Sequence, residues 1–174
     1  MLADPDARAS SVGGELLPEP SGWSDALAGT DGPRYWDRLL TGEQARLRRY
    51  GGRVTIVLVE IVGFEELATW VGSEAAVQYF SRLSRVLAGQ VRSSDHIARV
   101  GRNRFAILLI QTDEIRTLNF IDRVLKTLRS ELGEDAQPIH VGIGWASPEP
   151  RGDLTQAMAT AEERLQADFF RTRG

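Results

Sequence analysis

The sequence predicts an α+β domain: one mixed central sheet packed by helices, with an extra helix on the N-terminal side. Three observations carry that prediction. Residues 53–62 form a near-continuous apolar run rich in β-branched side chains (Val54, Ile56, Val57, Val59, Ile61, Val62), the pattern of a strand buried on both faces. Two mostly apolar runs, 97–100 and 105–111, flank the turn Gly101-Arg102-Asn103-Arg104-Phe105 and read as a hairpin. Long stretches around them carry apolar residues at helical spacing.

Taken in chain order, residues 1–22 are rich in Ala, Ser, Gly, Pro and acids, with Pro5, Pro18 and Pro20 and no sustained periodicity. They read as a disordered tail or linker, with a short element at Glu15 to Leu17 docking on a partner as the alternative. One domain is expected over 23–174. Its first helix begins at Asp31 or Gly32, with Pro33 in the first turn, where a missing N–H costs nothing. Trp36, Leu39, Leu40 and Leu47 form the apolar stripe, and Gly51-Gly52 end the helix. After the strand at 53–62, helices are predicted over 64–71 and 73–91. Ser73 caps the second, whose stripe is Val77, Phe80, Leu83, Val86 and Leu87. The hairpin covers 95–111. A long helix over 114–132 follows, with Ile115, Leu118, Ile121, Leu125, Leu128 and Leu132 as its stripe and Gly133 as its stop. Residues 139–146 are a last strand and 154–170 a last helix. The order is helix, then β-α-α-β-β-α-β, then helix. That is a ferredoxin-like core, the palm of nucleotide cyclases and other nucleotidyl-transferring enzymes. The hairpin supplies an antiparallel pair, and the helical crossovers favour parallel neighbours.

Composition narrows the function classes. The chain has 174 residues, 42% hydrophobic and 26% charged, which suits one well-cored globular domain. A net charge of −3 speaks against a generic nucleic-acid binder. There is no cysteine, so disulfides, thiolate metal sites and thiol nucleophiles are excluded. No apolar run approaches the ~20 residues of a membrane span. Met1 to Gly14 lack the basic and apolar regions of a signal peptide, and a cytoplasmic location is expected. His96 and His140 are far apart without metal-ligand spacing. Trp70 reads as a packing residue, Glu162-Glu163 as exposed surface, and the arginines of 46–53 as a solvated helix end.

Several pieces of the chain resemble the GGDEF domain, the diguanylate cyclase family that condenses two GTP into cyclic di-GMP. Asp25-Ala26-Leu27-Ala28-Gly29 looks like the family's opening Asp-x-Leu-Thr-Gly, and Arg34 falls on the second arginine of its Asn-Arg-Arg. Glu60-Ile61-Val62-Gly63-Phe64 resembles the strand end Asp-Ile-Asp-x-Phe. The run from Asp95 to Gly101 is similar to the approach to the signature turn, and Val141-Gly142-Ile143-Gly144 to a late Ser-x-Gly-x strand. Of the turn itself, only Gly101 and Phe105 match.

The resemblance implies a site whose chemistry is absent. Phosphodiester formation from GTP needs Mg²⁺ held by carboxylates from more than one element. Here the family's positions read Glu60, Val62, Asn103 and Arg104. Its guanine-reading positions are Ala68 and Val77, its second turn glycine is Arg102, and a phosphate-contacting lysine is Phe169, with Arg173 near a neighbouring basic position. No catalytic residue, metal site or cofactor is therefore expected. Three functions compete: an inactive domain acting through a protein partner or self-association, a cyclic di-GMP receptor, and an enzyme with shifted substrate use centred on Glu60. The receptor reading rests on Arg92-Ser93-Ser94-Asp95, similar to the family's inhibitory Arg-x-x-Asp site, with Arg99 as a further phosphate contact. Arginine can hold a phosphate bidentately, and aspartate can accept from guanine N1 and N2. The alternative is structural: Asp95 orders the preceding turn and Arg92 is a solvated helix end.

Overall fold

The computed structural model describes residues 15–133 and 136–172. In chain order the elements are β1 (Ser24–Asp25), β2 (Thr30–Asp31), α1 (Pro33–Tyr50), β3 (Val54–Val62), α2 (Phe64–Val71), α3 (Ser73–Ala88), β4 (His96–Gly101), β5 (Arg104–Ile110), α4 (Glu114–Leu132), β6 (His140–Ala146) and α5 (Leu154–Thr172). The six strands make one mixed sheet in the order β1-β2-β4-β5-β3-β6.

The sheet is mixed, but not for the expected reason. Strands β4, β5, β3 and β6 are antiparallel neighbours throughout. The helical crossovers join β3 to β4 and β5 to β6, which run the same way but have one strand between them. The parallel contact is a single register pair, Asp31 with Ala98, between β2 and β4. The two-residue strands β1 and β2 escaped the sequence reading because nothing so short carries periodicity.

Alternation along β3 explains its continuous apolar run. Val57, Val59 and Ile61 join Phe105, Ile107 and Leu109 in a core closed by α2, α3 and α4. Ile56 and Leu58 join Ala106 and Leu108 on the other face, under Trp36 and Leu47 of α1 and Ala157, Ala161 and Leu165 of α5. Both faces are buried, so most positions prefer a hydrocarbon, Thr55 and Glu60 being the exceptions. Helix α5 approaches β6 so closely that a Cβ on Gly144 would lie 2.0 Å from the Ala161 carbonyl oxygen.

Some expectations are corrected. Residues 15–22, read as part of the tail, pack on the domain: Leu17 is 1% exposed and belongs to the larger core. The rest of that segment, 1–14, lies outside the described residues, as does Arg173. Ser73 is the first helical residue of α3 rather than its cap; Gly72 occupies the cap position without a side-chain hydrogen bond. On α4 the buried stripe is Thr117, Phe120, Val124, Leu128 and Leu132, while Ile115 and Leu118 face solvent. The helix is rotated toward Phe120 and Val124, which the sheet can reach. Trp70 is exposed rather than packed.

Candidate functional site

The strand register builds the site at the turn. It sets Glu60 of β3 opposite Arg104 of β5 on one side and Gly142 of β6 on the other. Arg104 donates from Nε and Nη2 to Glu60 Oε2 at 2.8 and 2.6 Å, and from Nη1 to Glu162 Oε2 of α5 at 2.8 Å. Burial acts to lower the Arg104 pKa, but the hydrogen bonds and charges of the two glutamates outweigh it and hold the guanidinium above its ordinary value. The Glu60 carboxylate is thus neutralised by a residue of the turn itself. Among the described residues no group of three or more His, Asp or Glu is placed to hold a metal ion. A magnesium ion does not fit this arrangement, because Arg104 occupies the Glu60 carboxylate and would repel it.

Two further residues close this end of the sheet. Phe169 packs against the α1/α5 core, and a Cβ on Gly142 would lie 2.5 Å from its ring. Glu162, expected as exposed surface, is drawn to Arg104 by the seating of α5 on β6. The available signal was its position beside Ala161 and Leu165, which lie on the buried face of the helix. On the opposite face of the sheet, Ala68 and Ser73 line an open groove of about 540 Å³ together with Arg102 of the turn. Val77 is partly buried against the core beneath α3. A cavity of about 600 Å³, lined by Trp145, Ser147, Asp153 and Arg164 among others, lies at the other end of β3 and touches none of these residues.

Arg92 and Asp95 do come together. Arg92 Nε donates to Asp95 Oδ2 at 2.9 Å, and its Nη2 to Asp95 Oδ1, the Ile110 carbonyl and Thr112 Oγ1 at 3.1 to 3.3 Å. The Asp95 hydrogen bond, then its charge, raises the Arg92 pKa. Asp95 Oδ1 also accepts from the Ile110 amide at 2.9 Å, and its side chain is 1% exposed against 54% for Arg92. The pair therefore ties the far end of β5 to the loop before β4. Five residues separate Asp95 from Gly101, six strand steps or about 20 Å.

Arg99 does not join them, which corrects its reading as a phosphate contact. It is fully buried. Its donors go to Asp25 at 3.0 and 3.2 Å, to the Arg102 carbonyl at 2.6 and 3.1 Å, and to the Pro18 carbonyl at 2.6 Å. It also lies over the Phe80 ring. A side chain with every nitrogen committed inside the fold is an anchor for the N-terminal segment.

Sheet order, crossovers and the turn between β4 and β5 together define a nucleotide-cyclase palm. The chain belongs to the GGDEF domain family: the family model described as "Diguanylate cyclase, GGDEF domain" matches residues 23–168. Diguanylate cyclase DosC of Escherichia coli K12 is 26% identical over 137 residues, which are 76% of this chain and 30% of that protein. The probable diguanylate cyclase DgcC of the same organism is 32% identical over 112 residues, covering 60% of this chain and 29% of its own. The chain thus spans less than a third of the length of these relatives. In fold it resembles the GGDEF domain of DgcB from Caulobacter crescentus, solved in complex with c-di-GMP (TM-score 0.75, 18% identity, 84% of this chain and 90% of that one). It also resembles diguanylate cyclase SiaD from Pseudomonas aeruginosa, solved with its activator SiaC (TM-score 0.69, 20% identity, 84% and 58%). No helix among the described residues is long and apolar enough to cross a membrane.

Proposed function

We propose that this GGDEF domain is catalytically inactive and serves cyclic di-GMP signalling as a regulatory module, through a protein partner or self-association. One observation carries the reading. The Arg104 guanidinium bridges Glu60 and Glu162 where the family would hold a metal ion. With Val62, Ala68, Val77 and Phe169 at the other functional positions, neither the metal nor the guanine has its usual partners. Incubation with GTP and Mg²⁺ or Mn²⁺, followed by product analysis, is expected to yield no cyclic dinucleotide. A product that disappears in Glu60→Ala would overturn the proposal.

A second reading is favoured by the Arg92–Asp95 pair: a cyclic di-GMP receptor. Arg92 is half exposed and keeps its guanidinium at the surface. Asp95 would have to exchange the Ile110 amide for a guanine edge. Calorimetry with the dinucleotide tests it. Binding lost in Arg92→Ala supports the assignment, and binding unchanged in the Arg92→Ala/Asp95→Ala variant removes it.

A further inference from the structure

The second turn residue, Arg102, leans over the groove between the turn and helices α2 and α3. Its walls are Ala68, Thr69 and Glu65 of α2, Ser73 of α3 and Leu16 of the N-terminal segment. Two acids from that segment converge on the guanidinium. Glu15 pairs with Arg102 Nη2, and Glu19 Oε2 lies 3.7 Å from the same nitrogen. Glu19 also comes close to Gly101, where a Cβ would be 3.9 Å from its Oε1. The Arg102 Nε is buried with no hydrogen-bond partner, so the guanidinium is not fully satisfied by these two acids. Beneath them the segment is fixed, with Leu17 in the core and the Pro18 carbonyl on Arg99. The attachment thus has two parts: a buried anchor and an exposed acidic clasp.

We infer that Glu15 and Glu19 form an intramolecular latch that occupies Arg102 in place of a phosphate-bearing ligand. In the latched state the segment forms one wall of the groove and covers Arg102, and an anion of sufficient charge density competes for the guanidinium while Leu17 and Pro18 stay seated. Charge sets this choice of ligand. A carboxylate on an arginine is the side-chain counterpart of a phosphate oxygen, and a guanidinium receives either bidentately. Both glutamates are about 60% exposed. Each bridge is therefore weak enough to exchange. Glu65 on the same groove disfavours anions, which makes the occupant of Arg102 decisive. The inference goes beyond the inactive-cyclase proposal and does not depend on it, because the probe below contains neither guanine nor metal.

The test uses the whole chain and inorganic pyrophosphate in metal-free buffer. Calorimetry is expected to show weak binding to the unaltered protein and about fivefold tighter binding to Glu15→Gln/Glu19→Gln. Arg102→Ala is expected to abolish binding. Glu163→Gln, which removes one exposed charge on α5 away from the groove, controls for the loss of a surface carboxylate and leaves the affinity unaltered. Equal affinity in the unaltered protein and the double variant would overturn the latch. So would binding retained in Arg102→Ala, or tightening of the same size in Glu163→Gln.

Discussion

Arg104→Ala removes the cation that ties Glu60 of β3 to Glu162 of α5. The guanidinium makes three charge-assisted hydrogen bonds of 2.6 to 2.8 Å. Its side chain is 33% exposed, with Glu60 at 18% and Glu162 at 33%. A fully exposed ion pair contributes about 0–1 kcal/mol, whereas stranding a buried charge costs about 3–5 kcal/mol. The intermediate exposure places the loss at about 1.5–2 kcal/mol, most of it at the less exposed Glu60. Urea unfolding followed by far-ultraviolet circular dichroism reads it directly. With a slope of roughly 2 kcal/mol per molar for a domain of this size, the midpoint falls by about 0.8–1 M. Glu60→Gln in the Arg104→Ala background removes the stranded charge and restores roughly half of the loss, a coupling of about 1 kcal/mol in the double-mutant cycle. If Arg104→Ala costs less than about 0.5 kcal/mol, or the coupling is zero, the guanidinium does not hold these carboxylates and the argument for a blocked metal position fails.

Arg99→Met strands the largely buried Asp25 carboxylate and leaves the Pro18 and Arg102 carbonyls short of a donor. It is expected to cost about 3–5 kcal/mol in the same unfolding assay, and a loss below about 1 kcal/mol would show the anchor to be dispensable. Leu17→Ala is expected to cost about 2–4 kcal/mol by opening a cavity in the core. An unchanged midpoint would return residues 15–22 to the status of a tail. Asp31 has its carboxyl pKa held above the ordinary 3.8 by burial, with His96 opposing. The folded state therefore binds that proton more tightly than the unfolded state. Asp31 favours folding below pH ~3.8 and counts against it as pH rises through the folded value. Asp31→Asn should raise Tm at pH 7 and lose that advantage toward pH 3. Equal midpoints at pH 7, or an advantage that grows on acidification, would contradict the sign.

Much of the fold was legible because its elements are long and periodic. The helix 114–132 matches its sequence reading residue for residue, and β3 begins one residue inside the apolar run that predicted it. The rotation of α4 was not legible. Ile115 and Leu118 have the same spacing as the residues that are buried, and only the seat on the sheet selects Phe120 and Val124. At the candidate site, the residue types Val62, Asn103 and Arg104 could be read directly from the sequence. The partner of Arg104 could not. Glu60 is 44 residues away and Glu162 is 58, and neither separation carries a sequence signal.

The family frame and the two-faced burial of the central strand were already carried by the sequence. Those depend on residue type and local period, which the chain carries without folding. Tertiary structure decided where the charges went. Strand register placed Arg104 on Glu60, and the docking of α5 added Glu162. The buried Arg99 drew residues 15–22, unremarkable as a sequence, onto the domain. Ion pairs and buried donors are satisfied by whatever the fold brings within about 3 Å, and the sheet, not the local sequence, sets those neighbours.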